Sequence, residues 1–346
     1  MRQLKLRLAI QFFTPFSDAA EESSSAQDIL VLRLDGKLGD GVTATGFLRE
    51  LKRKYSNSNL IVVTGPGTES IYQSLDFVNS VIVARKGLVS TLKLYLKLRR
   101  RQFRFIINTS HILNPSVVFL VSFLCAQKKI GFGVKTHRVF TDGISIDFQR
   151  DHITNRYKKV LNLLGIENPD MSYDLKLQAE VEDVRRGALY LVGLNSFAGG
   201  RLRNLSQATT TALVRKLLQH PDVKVVSLAS DGDHRILNSW IDNSFHRRWL
   251  SFPQHASLEQ NMAILSQCDL LITPDTAWVH ISSALKKKLL AIYRSETNSE
   301  ENNAVIWAPY GTDFSVVRSA PGSEDINTVD TDEVVRWALE ALESNK

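Results

Sequence analysis

Apolar residues fall along this chain in two alternating rhythms. Short uninterrupted runs (Ile29-Leu30-Val31-Leu32, Leu60-Ile61-Val62-Val63, Val81-Ile82-Val83, Phe105-Ile106-Ile107) have the length and composition of strands buried on both faces. Between the first two, Val42, Phe47, Leu48 and Leu51 recur at helical spacing and stop near Tyr55. Gly65-Pro66-Gly67 breaks the second run. Such alternation predicts a mostly parallel sheet. A long helix is expected over Asp151–Gly165, and then the pattern restarts. Leu189–Leu194 is the first strand of a second series, followed by a Gly-rich loop (Ser196–Arg203) and a helix over Gln207–Gln219. Val223–Leu228, Trp249–Phe252, Leu270–Thr273 and Leu289–Tyr293 continue it. Asp330-Thr331-Asp332-Glu333 opens a last helix with a capping-box pattern. The chain therefore reads as α/β with two doubly wound halves: a segment 1–27, a domain 28–170 and a domain 171–346. Ligands of open α/β sheets bind at the carboxyl ends of the strands, so the cleft between the halves is the expected site.

A length of 346 residues with 43% hydrophobic content suits two domains of ordinary size. The longest apolar stretch, Ser116–Ala126, falls well short of the roughly 18–20 residues of a membrane span and reads as a buried element. Cys125 and Cys268 stand far apart in apolar surroundings, which excludes a disulfide framework and fits a reducing, cytoplasmic compartment. Neither they nor the eight histidines show zinc-ligand spacing.

The net charge of +7 is unevenly spread. Between Asp76 and Asp142 there are twelve lysines and arginines and no acidic residue. Such asymmetry points to an anionic partner or, more simply, to a solvated helix face. No nucleic-acid recognition motif accompanies it, so nucleic acid is not expected as the partner. Met1–Phe16 carries three basic residues, no acid, and Leu4, Leu8 and Phe12 at helical spacing, as in a segment that touches a membrane surface. Asp18–Gln27 reads as a polar linker.

Three segments could carry chemistry. In Leu34-Asp35-Gly36-Lys37-Leu38-Gly39-Asp40-Gly41 a loop leaves the first strand at its carboxyl end, and its glycines allow close backbone approach to a ligand. Asp40 could accept a proton from an attacking hydroxyl, or could simply cap the next helix. In Thr273-Pro274-Asp275-Thr276-Ala277-Trp278-Val279-His280 a strand ends and a helix begins, a site for phosphate oxygens or an ordinary helix cap. In the loop Asn195–Asn204, Arg201 and Arg203 could neutralise a leaving diphosphate or be surface charges. Asp231-Gly232-Asp233 has the Asp-x-Asp form of metal-dependent transferases, but a turn after a strand needs Asp and Gly anyway. Trp278 and Trp307 read as packing residues.

In their order these segments resemble the lipopolysaccharide core heptosyltransferases, glycosyltransferase family 9. The resemblance rests on Ile29–Asp35 running into Leu38-Gly39-Asp40 and Thr43–Leu51, on Leu60–Gly67, on His152–Gly165 with Arg156-Tyr157, on Thr273-Pro274-Asp275-Thr276 with Val279-His280, and on Trp307-Ala308-Pro309. It implies two Rossmann-like domains of the GT-B type, the acceptor on the first and ADP-heptose on the second. The matching Asp40 would be the general base of an inverting transfer. Arg203, with Arg201 as the near alternative, would stabilise the leaving ADP. Asp275, Thr276, Ala277, Trp278 and His280 would surround the donor, with Asp233 by its ribose. Lys37 and the run Arg99, Arg100, Arg101 would attract an anionic, lipid-linked acceptor. No metal and no cofactor beyond the nucleotide sugar are implied. A monomer is expected, peripheral at the cytoplasmic face of the inner membrane. Ala277 stands where the family usually has Gly, and Arg203 where it commonly has Lys; both departures lie on the donor side. A same-fold transferase moving another sugar to core, capsule or protein, and a non-catalytic nucleotide-binding protein, are the competing readings.

Overall fold

The computed structural model describes Ala9 and residues 27–110, 113–133, 139–147, 149–241, 247–251, 256–295 and 302–344. The chain divides into two compact units, Met1–Asp174 and Leu175–Lys346. The segment expected to touch a membrane, 1–16, lies outside the described residues except for Ala9, which is buried in the first unit's core.

In the first unit six strands form one sheet: β1 (Asp28–Arg33), β2 (Asn59–Thr64), β3 (Ser80–Val83), β4 (Phe103–Asn108), β5 (Ala126–Phe132) and β6 (Asp142–Ile144). Their order is β3-β2-β1-β4-β5-β6, and every pairing is parallel. The register sets Asp28 beside Asn59 and Arg33 beside Thr64. The sheet's helices are α1 (Leu38–Thr43), α2 (Thr45–Lys54), α3 (Glu69–Gln73), α4 (Leu88–Leu98), α5 (Pro115–Phe123) and α6 (Ile153–Leu163). α2 buries Phe47, Leu48 and Leu51 and places Lys52, Arg53 and Lys54 in its last turn, where they complement the helix dipole. The long apolar stretch becomes α5, started by the Asn114 side chain accepting from Val117 N–H, with Pro115 in its first turn.

The second unit repeats the plan. Its strands are β7 (Tyr190–Asn195), β8 (Val223–Leu228), β9 (Trp249–Ser251), β10 (Leu270–Pro274), β11 (Lys288–Tyr293) and β12 (Phe314–Arg318). The order is β12-β11-β10-β7-β8-β9, again all parallel. The helices are α7 (Gln207–Leu217), α8 (Asp231–Trp240), α9 (Leu258–Gln267), α10 (Ala277–Ala284), α11 (Asn303–Ile306) and α12 (Thr331–Glu343). At α12 the Asp330 carboxylate accepts from Asp332 and Glu333 N–H, but the reciprocal capping box belongs to α9, between Ser257 and Gln260. Asp231-Gly232-Asp233, expected as a turn, is the first turn of α8.

Both sheets have the doubly wound order in which the first and fourth strands lie side by side and the connections diverge. The carboxyl ends of β1 and β4, and of β7 and β10, are therefore the crevices where such sheets bind ligands.

Candidate active site

Arg33 ends β1 and is 3% exposed. A guanidinium taken out of water must be paired. Its Nη2 stands 2.7 Å from Asp40 Oδ2 and 3.2 Å from Asp35 Oδ2. Its Nη1 donates to the Thr109 carbonyl just past β4, at 3.1 Å, and to the Tyr157 hydroxyl on α6, at 3.3 Å. Burial works against the charge on Arg33, but the Asp40 and Asp35 carboxylates outweigh it and hold its pKa above the ordinary value. Burial raises the Tyr72 and Tyr157 pKa values, so both are neutral phenols. Among the described residues neither Arg33 Nε nor the Tyr72 hydroxyl, both buried, has a hydrogen-bond partner.

Asp40 is neither on a loop nor a helix cap. α1 begins at Leu38, Lys37 is its N-cap without a side-chain bond, and Asp40 lies in the first turn with its carboxylate given to Arg33. Asp35, a quarter exposed, lies on the outer side of the same guanidinium. Burial pushes the Asp35 carboxyl up; Arg33 pulls it back, and the hydrogen-bonded Asp40 pushes it up again.

Gly36 of this segment serves the chain. At Gly36, with φ +66°, an added Cβ would stand 2.9 Å from the Pro66 carbonyl oxygen, and one at Gly65 would stand 2.8 Å from Gly36 Cα. The loops after β1 and β2 thus cross backbone on backbone, which fixes Asp35 and the start of α1.

The second unit's crevice is neutral. Asn195, ending β7, donates through Nδ2 to Thr273 Oγ1 at 3.0 Å and to Thr276 Oγ1 at 3.4 Å. Thr276 caps α10, its hydroxyl accepting from Trp278 N–H at 3.2 Å. The positive pole of α10 lies at this end, where its Trp278 and Val279 N–H groups bond the Thr276 hydroxyl and carbonyl. Arg203 belongs to a short 3₁₀ turn, Arg201–Arg203, and its Nη1 lies 3.3 Å from Asp275 Oδ2.

The other expected residues are placed as follows. Arg99, Arg100 and Arg101 follow α4 and precede β4, at the amino edge of the first sheet, and Arg101 pairs with Asp28 at 2.7 Å. A six-residue strand, roughly 20 Å, separates that edge from Asp40. His280 is buried in α10 with its ring edge-on to Trp307 at 5.9 Å, so it supports the helix from beneath. Asp233 lies in the first turn of α8, its carboxylate accepting from the Ser230 hydroxyl. Arg201 is exposed beside Arg203. Lys37 is exposed at the start of α1. Among the described residues no three His, Cys, Asp or Glu side chains converge as a metal site. The residues not anticipated are Arg33, Asp35, Tyr72, Tyr157 and Asn195. The signal available for the first was a charge within an apolar strand run.

Two doubly wound α/β units, each with its polar groups at the switch point of the sheet, are the fold of the GT-B class. The model of glycosyltransferase family 9 (heptosyltransferase) matches residues 91–334, and the chain belongs to that family. A chain of Escherichia coli (strain K12) provisionally named lipopolysaccharide heptosyltransferase 4 is 21% identical over 332 residues, covering 93% of this chain and 90% of that one. The crystal structure of the family 9 glycosyltransferase from Veillonella parvula DSM 2008 matches 94% of this chain and 99% of its own, with a TM-score of 0.74 and 17% identity. That of E. coli heptosyltransferase WaaC with ADP-2-deoxy-2-fluoro heptose matches 90% of this chain and 99% of its own, with a TM-score of 0.71 and 14% identity.

Proposed function

We propose that the chain transfers heptose from ADP-heptose to a lipopolysaccharide core acceptor by an inverting, metal-independent reaction. The observation that carries this reading is Asp40, a carboxylate aimed by a buried arginine at the carboxyl end of the first sheet. Asp40 takes the proton of an acceptor hydroxyl as its oxygen attacks the anomeric carbon. The bond from that carbon to the diphosphate oxygen breaks on the opposite face, and the configuration inverts. ADP leaves with the negative charge, which Arg203 and the positive pole of α10 receive. Arg33 keeps Asp40 oriented and neutralises the adjoining Asp35, so Asp40 meets its proton with the geometry already set. The acceptor is anionic and lipid-linked, and the protein works as a monomer at the cytoplasmic face of the inner membrane. Among the described residues no helix is long and apolar enough to cross a membrane.

The test is a donor screen in which purified protein is incubated with ADP-heptose and with other nucleotide sugars, with and without a heptose-deficient core acceptor. Transfer from ADP-heptose alone supports the reading; transfer from another donor only overturns it. A different donor sugar is the second reading, favoured by Ala277, whose methyl group stands at the first turn of α10 where the family usually has none.

A further inference from the structure

The large apolar side chains exposed on this protein are concentrated. Of eleven among the described residues, five lie on the end of β3 and on α4: Val83, Leu88, Val89, Leu92 and Leu96. Leu88 is 85% exposed, Val89 69%, Leu92 50% and Leu96 53%. Isolated exposed leucines are ordinary, but a contiguous row of this kind marks a contact surface. Leu88, Leu92 and Leu96 follow at intervals of four, and Val89 falls three before Leu92 and seven before Leu96, so the four form one stripe. The fold does not need this stripe. α4 already buries Thr91, Leu94 and Leu98, the two leucines in the first unit's core. One helix is thus apolar on two faces, and among the described residues only one of them packs.

Cations surround the free face. Lys93 and Lys97 are exposed on the helix itself, Arg85 and Lys86 precede it, and Arg99 and Arg100 follow it, all exposed. No acidic residue lies anywhere between Asp76 and Asp142. An apolar stripe edged by lysines and arginines fits an anionic lipid surface, where the apolar side chains enter the acyl boundary and the lysine stems reach lipid phosphates. A second copy of this chain fits badly, because symmetric pairing of the face would set its cations against the same cations.

We propose that the outer face of α4 docks the protein on an anionic membrane. This rests on the lipid-linked acceptor proposed above. The topology supplies the reason for its position. α4 follows the carboxyl end of β3 and returns to the amino end of β4, so Leu88 and Val89 lie at the edge of the sheet that carries Asp40. Docking on this helix brings that edge to a lipid-borne substrate. Arg99 and Arg100, remote from Asp40, then act as the far end of the docking face.

The test is co-sedimentation of the full chain with vesicles of phosphatidylglycerol and phosphatidylethanolamine, with phosphatidylcholine vesicles as the comparison. Wild-type protein is expected to bind the anionic vesicles, to be released by added salt, and to ignore the neutral ones. Leu88→Ser, Leu92→Ser and Leu96→Ser combined should weaken binding at least about tenfold. Lys93→Ala with Lys97→Ala should weaken it by roughly fivefold per lysine at low salt. The single change Leu92→Glu, at a half-exposed position, must act in the same direction and stands in if the triple variant does not fold. Unchanged binding by these variants, or equal binding to neutral vesicles, overturns the proposal. So does a wild-type dimer in sedimentation velocity that Leu92→Glu converts to monomer, since the face then belongs to a second copy. Transfer to a soluble, delipidated acceptor is measured alongside. Vesicle binding without transfer defeats the proposed function and leaves the docking face standing, and transfer without vesicle binding does the reverse.

Discussion

Arg33→Met isolates what the first unit's polar cluster is for. Methionine keeps the length of the stem and removes only the guanidinium. The wild-type group lies within 3.2 Å of two carboxylates and bonds the Thr109 carbonyl and the Tyr157 hydroxyl. Removing it leaves Asp40 and Asp35 side by side with no counter-charge, Asp40 almost fully out of water. Breaking a buried pair from one side costs about 3–5 kcal/mol. For a unit of this size each kcal/mol shifts the melting temperature by about 2–4 °C, so a drop of about 6–20 °C is expected in calorimetry. The paired experiment places Arg33→Met in a background that already carries Asp35→Asn and Asp40→Asn. With both carboxylates gone the arginine has nothing to neutralise, and its own burial becomes a cost, so most of the destabilisation should vanish. A variant that melts within about 2 °C of wild type refutes the reasoning, since even the lower bound predicts more. An equal loss in both backgrounds refutes it too, because Arg33 would then act through packing.

Asp40→Asn should lower turnover by about 10²–10⁴-fold and leave ADP-heptose affinity by calorimetry unchanged, because the general base acts only on the acceptor proton. Asp35 has its folded pKa raised, so its contribution to stability is full below the unfolded value and is lost as pH rises through the folded one. Asp35→Asn should therefore melt at or above wild type at neutral pH, with the difference closing on acidification; a melting curve lower at pH 7 than wild type contradicts this. Thr276→Val removes the α10 cap at a cost of about 1 kcal/mol and should weaken nucleotide binding together with it. Burial pushes the Cys268 thiol up to about 12, whereas Cys125 is exposed. Iodoacetamide at pH 8 should label one cysteine of the native protein by mass spectrometry, and two only after denaturation.

The strands were legible because both faces of a parallel sheet are covered. Apolar runs such as Ile29–Leu32 then appear without interruption, and their spacing gives the alternation directly. The Asp40 crevice was legible only by half. A carboxylate after a strand's carboxyl end is visible in the sequence, but its partners are not: Tyr157 meets Arg33 across 124 positions. Asn195 meets Thr273 across 78 positions, for the same reason. Local propensity suggested that Asp40 caps a helix, yet the long-range pairing with Arg33 redirects its carboxylate. The place of the basic run Arg99–Arg101 was not legible, for a topological reason. Charge density along the sequence does not say which edge of the sheet a connection occupies, and the start of β4 is the edge away from the ligands.

The two units carry the same topology but different electrostatics at their switch points, and the proposed roles follow that difference. In the first, a cation that is 4% exposed is locked among two carboxylates, a carbonyl and a phenol, so it cannot leave them for a substrate. What it offers is direction: a carboxylate with one orientation. In the second, Asn195, Thr273 and Thr276 satisfy one another without any formal charge at the positive pole of α10. Among the described residues Arg203 pairs with Asp275 there at 3.3 Å, with the arginine side chain 36% exposed. An ion pair in that setting contributes only about 0–1 kcal/mol. In the proposed reaction Arg203 would exchange Asp275 for a diphosphate oxygen at little cost and return to it when the nucleotide departs. Arg33 cannot do this, and Arg203 could not hold a general base still. Each arginine suits its proposed role because its burial, rather than its chemistry, differs.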